Sequence, residues 1–301
     1  MPKFYVNLFE SIPSVKPIQS ISLKTGLLPL VILGFSMLPT AQNILIFADY
    51  KHDNIGQSMS NMENSPTYTL HKASSRGHAD HGWLNTYHSF SFASWHDPER
   101  MHFGALRVLN DDYVAAGNGF GRHPHDNMEI ISIPLEGSLR HEDSMGTGAV
   151  IAKGDIQIMS AGTGILHSEN NNSEADPVRF LQIWMFPNQK DLTPRYDQES
   201  FDIAEEHNQL RCVVSPTGDE GVQIHQNAWF YLGSWDKDHA QNYSLKGRGQ
   251  GVYVFVLEGD LEIDGRLLSR RDAMGISDAD LVQLKASSDT RFLMMDVPMQ
   301  W

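Results

Sequence analysis

From residue 62 onward, apolar and polar residues alternate in short runs separated by Gly, Asn, Asp or Pro. Side chains two apart on a strand share a face, so this period predicts strands rather than helices. The clearest runs are 103–109, 128–135, 155–159, 178–186, 228–232, 252–257 and 260–264, and few stretches sustain a helical period. Many strands of this length joined by close turns predict an all-β chain built as a sandwich or barrel. Residues 190–208 break the pattern: they are polar, contain Pro194, and predict a linker with one short helix near 204–207.

A repeat divides the β region. Leu135-Glu136-Gly137-Ser138-Leu139 recurs 122 residues later as Leu257-Glu258-Gly259-Asp260-Leu261, each time an apolar strand entering a glycine turn. Lys153-Gly154-Asp155 has a looser echo 117 residues later in Arg270-Arg271-Asp272. Two similar β-barrels are therefore expected, over 62–195 and 196–301.

Residues 1–61 read differently. Their net charge is +1 within a chain of net charge −14, and no charged residue lies between Lys24 and Asp49. The apolar run 27–38, followed by Pro39-Thr40-Ala41, has the character of a secretory h-region, although two prolines and a glycine interrupt it as a membrane span. Two readings stand. In one, this is a leader or anchor and the protein is periplasmic or membrane-anchored. In the other, Met59 or Met62 is the true start and the protein is cytoplasmic. No membrane association is expected of the folded part.

Composition narrows the chemistry. With 23 Lys+Arg against 37 Asp+Glu, the chain lacks the basic footprint of a nucleic-acid binder. Its one cysteine, Cys212, excludes an internal disulfide and any multi-cysteine metal cluster. Histidine is abundant: eight of the 14 lie between His71 and His125. In Gly121-Arg122-His123-Pro124-His125, strand spacing presents two imidazoles to one side, and Pro124, which lacks an N–H, places the segment at a strand end or sheet edge. In His167-Ser168-Glu169, the same spacing pairs an imidazole with a carboxylate. Three imidazoles and a carboxylate suit Fe, Mn, Co, Ni or Zn better than Ca or Mg. Glu129 is a rival carboxylate. His78, His81, His88, His96 and His102 read as surface or interdomain residues, His141 as a partner of nearby acids, and Asp97, Asp111 and Asp112 as turn residues.

Residues 117–129 resemble the first cupin motif: a glycine, then His-x-His, then Glu129. A closer resemblance is to the pirin family. It rests on His123-Pro124-His125, Leu135-Glu136-Gly137, His141-Glu142-Asp143-Ser144, Ser160-Ala161-Gly162-Thr163-Gly164-Ile165, His167-Ser168-Glu169 and Leu181-Gln182-Ile183-Trp184. It extends from about residue 67 to the end and is greatest to bacterial pirin-like proteins with quercetin 2,3-dioxygenase activity.

The resemblance implies a bicupin of two jelly-roll β-barrels with metal in the first only. It places the ligands on His123, His125, His167 and Glu169, and it implies one divalent ion, Fe2+, with Mn, Co, Ni, Cu or Zn as alternatives. The repeat agrees: its spacings carry the four ligands to Leu245, Gly247, Leu284 and Ala286, none of which can ligate through its side chain. The activity implied is ring-opening of a flavonol such as quercetin by O2, with Glu169 as ligand and as base. Two other readings remain: a metal-dependent protein-binding regulator without turnover, and a metal-bound structural barrel.

Overall fold

In Val252-Tyr253-Val254-Phe255-Val256-Leu257, alternate residues serve two different cores. Val252, Val254 and Val256 pack with Trp235, Leu284 and Phe292, whereas Tyr253, Phe255 and Leu257 pack with Leu181, Ile183 and Phe230. A strand apolar on both faces must lie in the middle layer of a stack, and this gives the plan of the molecule. The computed structural model describes residues 65–203 and 205–301, so the leader and start-site readings of 1–61 lie outside the described residues.

In chain order the strands are β1 (Thr67–His71), β2 (Gly77–Asp80), β3 (Leu84–His88), β4 (Leu106–Val114), β5 (Gly119–His125), β6 (Glu129–Glu136), β7 (Ser138–Asp143), β8 (Gly148–Ala152), β9 (Asp155–Ser160), β10 (Ile165–Asn171) and β11 (Val178–Met185). They continue as β12 (Arg195–Ser200), β13 (Leu210–Ser215), β14 (Val222–Gln223), β15 (Trp229–Trp235), β16 (Ala240–Ser244), β17 (Gln250–Glu258), β18 (Asp260–Ile263), β19 (Arg266–Ser269), β20 (Ala273–Ser277), β21 (Leu281–Ala286) and β22 (Thr290–Pro298). Among the described residues the only helical element is a 3-10 turn at Ala73–Ser75, and no helix is long and apolar enough to cross a membrane.

The first barrel pairs a seven-stranded sheet, β12-β9-β6-β11-β4-β3-β2, with a four-stranded sheet, β5-β10-β7-β8. The second repeats this, with β1-β20-β17-β22-β15-β13-β14 against β16-β21-β18-β19. The two seven-stranded sheets pack on each other through Ile131, Ile133, Leu181, Ile183, Phe230 and Phe255. The repeat seen in the sequence is the passage from large sheet to small sheet. Gly137 (φ 72) joins β6 to β7, and Gly259 (φ 77) joins β17 to β18, both left-handed where a side chain is disfavoured.

Each barrel takes an edge strand from outside its own run of sequence. β1 pairs with β20 of the second barrel, and β12 pairs with β9 of the first. The polar segment 190–208 is thus not simply a linker, because β12 lies within it. Its contacts are polar: Gln198 Nε2 donates to Asp155 Oδ2 at 2.8 Å, and Ser200 Oγ donates to Asp155 Oδ1. Such a strand carries no apolar alternation to announce it. Residues Glu205 to His207 form a turn rather than the expected helix.

Where β1 docks, His71 is buried and its Nδ1 lies 2.9 Å from the Tyr253 hydroxyl. Burial, reinforced by Arg100 and opposed by Asp97, lowers its pKa from 6.5 to about 4. The unfolded chain therefore binds the extra proton between these values, so this contribution is complete above pH 6.5 and is lost as pH falls toward 4. By pH 5 the loss should reach about 2 kcal/mol. Urea unfolding of the wild type and His71→Gln at pH 7.5 and 5 checks this: the wild type should lose more stability by that amount, and equal losses would refute it.

Candidate metal centre

The two barrels differ in what fills them. The interior of the second is apolar, with Trp235, Val254, Ile263, Val282, Leu284, Ala286 and Phe292 in one cluster. Strand pairing sets Leu284 opposite Ile263, as it sets Glu169 opposite His141. Leu284 is therefore the structural counterpart of Glu169, two residues from the position that the 117-residue spacing gives. The inward face of β21 is apolar in either register.

The interior of the first barrel is apolar at one end, where Leu84, Val114, Leu139, Ile151, Val178 and Phe180 cluster, and polar beyond it. A rung of directly paired residues crosses its large sheet: His88, Asn110, Gln182, Ser132, Gln157 and Gln198. Buried polar groups are tolerated when hydrogen-bonded, and this rung is substantially so. His88 Nδ1 meets Asn110 Oδ1 at 2.9 Å, and Ser132 and Gln182 both donate to Glu169. His88 is thus a core residue rather than a surface one. Asp111 and Asp112 lie within β4, not in a turn.

At one end of this interior three imidazoles converge. One nitrogen from each of His123, His125 and His167 lies within 4.8 Å of the others. β5 is the edge strand of its sheet, where Pro124 leaves no ladder donor missing. β10 pairs with it so that His167 stands opposite His123. The His123 Nδ1–H donates to the Gly121 carbonyl at 2.7 Å, which fixes the tautomer and leaves the Nε2 lone pair facing His167 Nε2 at 3.1 Å.

Burial, with His123 nearby, holds the His125 pKa down at about 3, and the same causes lower that of His167. Both are therefore neutral, which is the form that can ligate. Nδ1 of His167 is buried without a partner. Neutral imidazoles turning nitrogen toward a common point fit a metal of the imidazole-binding type.

Glu169 sits two residues along β10, in the adjacent layer. It is buried and is not a member of the 4.8 Å cluster. Ser132 Oγ donates to its Oε1 at 2.6 Å and Gln182 Nε2 to its Oε2 at 2.5 Å. Glu129 is directed elsewhere: Ser160 Oγ and the His225 N–H donate to Oε2 at 2.9 and 3.1 Å, which binds the two barrels together.

Of the supporting residues, Trp184, Phe92, Ser132 and Gln182 carried no assigned role in the sequence, whereas His141 was read as a partner of nearby acids and is one. The Trp184 ring meets His125 edge-on at 4.9 Å, with Phe92 behind it at 5.4 Å. His141 Nε2–H donates to Asp143 Oδ2 at 3.1 Å, and the His141 ring packs on His167 and on Tyr196 of β12. Burial acts to raise the Asp143 pKa, but hydrogen bonds from His141, Thr147 and Met145 outweigh it and lower the value. The signal for Ser132 and Gln182 was present: each is a polar residue set among apolar neighbours in the middle of a buried strand.

Both barrels are similar to known proteins. The Pirin family model matches residues 69–185, and a quercetinase C-terminal cupin domain model matches residues 212–297. A protein named quercetin 2,3-dioxygenase from Escherichia coli strain K12 is 43% identical over 230 residues, covering 76% of this chain and 98% of the relative. A pirin-like protein from Caulobacter vibrioides is 35% identical, covering 73% and 95%. The crystal structure of the bacterial pirin YhhW from Escherichia coli in complex with nickel(II) superposes with a TM-score of 0.73 at 40% identity, over 77% of this chain and 99% of that one.

Proposed function

The chain belongs to the pirin family, and from that premise and the three-histidine site we propose that it is a metal-dependent dioxygenase that opens the ring of a flavonol such as quercetin with O2. The observation that carries this reading is the His123–His167 arrangement, in which one tautomer is fixed and lone pairs are turned inward. His123, His125 and His167 would hold one divalent ion, with Glu169 as the fourth donor. Fe2+ is our assignment; nickel(II) is the ion in the related structure. Bound there, the ion would act as a Lewis acid toward a substrate hydroxyl, favouring its deprotonated form.

The protein's own groups would do the rest. A Glu169 carboxylate oxygen would take the proton of the flavonol 3-hydroxyl. Ser132 and Gln182 aim that carboxylate, and His141, tied to Asp143, fixes the plane of the His167 ring. Trp184 and Phe92 would wall the aromatic substrate and exclude water. Cleavage with O2 would release carbon monoxide and leave a ring-opened carboxylate ester. The test is quercetin loss and carbon monoxide release after reconstitution with Fe2+, Mn2+, Co2+ or Ni2+. Turnover proportional to bound metal is expected, and fully loaded protein without turnover under any of the four ions would refute the assignment.

A further inference from the structure

Away from the histidines, two clefts of about 780 and 830 Å³ open between the barrels. Arg179, Arg270 and Arg271 line both, so the two clefts adjoin at these arginines and together make an inter-barrel trough. The larger has an apolar lining that includes Ile133, Leu135, Phe201 and Leu257. Its cations are unevenly answered. Arg179 pairs with Glu136 at 3.3 Å and Arg270 with Glu258 at 2.7 Å. Arg76 and Arg271 share one carboxylate, that of Asp111, at 3.3 and 3.2 Å.

The side chains of Arg76 and Arg271 are only 6% and 9% exposed, so one buried positive charge is left without its own counter-ion. Nη1 of Arg271 is also buried without a partner. The other acids of the smaller cleft do not answer this charge. Asp80 turns back to accept the Gly82 N–H at 2.8 Å. Asp112 is pushed up to about 7 by burial and is therefore partly neutral at physiological pH.

The backbone singles out the same residue. Arg271 has φ +66, and the repeat-related residue of the first barrel is Gly154, with φ +98. The turns correspond: Asp155 accepts the Ala152 N–H and Asp272 accepts the Ser269 N–H, each from three residues earlier. An arginine held in a left-handed turn that its repeat fills with glycine is a strained residue, and such outliers concentrate where a side chain is required for binding.

We propose that this inter-barrel trough is a binding site for a small organic carboxylate. Its carboxylate would lie against Arg271 and Arg76, and its apolar body along Ile133, Leu135 and Leu257. A single uncompensated charge beside an apolar floor matches a monoanion with a hydrophobic body better than inorganic phosphate. The site is separate from the metal centre and does not depend on the dioxygenase reading.

The test is calorimetric titration of the full, metal-loaded chain with trans-cinnamate, cinnamamide and inorganic phosphate. Cinnamate should bind at one per chain, with the amide and phosphate at least ~10-fold weaker, the ratio expected for losing one charge-assisted contact. Arg271→Gly should weaken cinnamate at least ~10-fold without changing metal content, since glycine suits the turn. Leu135→Glu, which places a negative charge on the floor, should do the same if the glycine variant fails to fold. His123→Ala should bind cinnamate as the wild type does. The proposal falls if cinnamate does not bind, if cinnamamide or phosphate binds as tightly, if affinity survives the Arg271 and Leu135 changes, or if it is lost in His123→Ala, which would put the ligand at the metal centre.

Discussion

His167→Ala is expected to abolish tight metal binding and quercetin turnover together. The three rings stand at the corners of a near-equilateral triangle, with centroids 4.5 Å apart for His123–His167, 4.9 Å for His125–His167 and 4.8 Å for His123–His125. Removing it leaves two imidazoles on the edge strand β5 with no imidazole from β10 opposite them. Loss of even an outer partner of a ligand commonly weakens metal binding 10- to 100-fold, so loss of the ligand itself should exceed ~100-fold. His123→Ala should behave alike.

The metal-free fold should survive His167→Ala, because the change removes a buried imidazole whose Nδ1 has no partner. His239→Ala is the control: it lies in the second barrel, packs on Trp235 at 4.7 Å, and should leave metal content unchanged. Elemental analysis after dialysis against a weak chelator gives the answer. One metal per chain retained in both His123→Ala and His167→Ala would show that the ion sits elsewhere.

The parts of this molecule that could be read in advance are those where one periodicity and one chemistry coincide. The apolar strands β6, β11 and β17 are legible because each has apolar residues on both faces or on one face throughout. The glycine of the large-to-small sheet turn is legible because both copies need a left-handed residue. His123 could be paired with His125, and His167 with Glu169, because a spacing of two fixes a shared face on each strand.

What the sequence hid is polar structure inside a barrel. β12 was concealed because its anchoring partner is the Asp155 carboxylate rather than an apolar neighbour. Asp112 was read as a turn residue and His88 as a surface or interdomain one because polar residues normally mark turns or the solvent side of a strand, whereas here both are buried on strands. The long-range pairing of β1 with β20 leaves no local trace at all, since register across some 200 residues is set by tertiary packing.

The same polar interior determines what replacing Glu169 should do. Glu169→Gln keeps the size of the side chain and one acceptor oxygen while removing the charge and the basic site. Turnover per bound metal should fall about 10²- to 10⁴-fold, the usual cost of losing a general base, while metal affinity falls far less because three imidazoles remain. The surroundings sharpen the expectation. Ser132 and Gln182 both donate to the carboxylate, and an amide can accept from only one of them unless Gln182 turns its oxygen inward.

Ser132→Ala should therefore lower per-metal turnover by a smaller factor, since it loosens the carboxylate without removing it. Glu129→Gln makes a matched comparison, because that carboxylate holds the His225 N–H and Ser160 across the barrel junction. It should destabilise the protein by about 1–3 kcal/mol and leave turnover per metal near normal. Rates must be normalised to measured metal content, so that weak loading is not mistaken for lost chemistry. Full per-metal turnover in Glu169→Gln, with collapse in Glu129→Gln, would move the base to Glu129 and remove the role assigned to the Ser132–Gln182 pair.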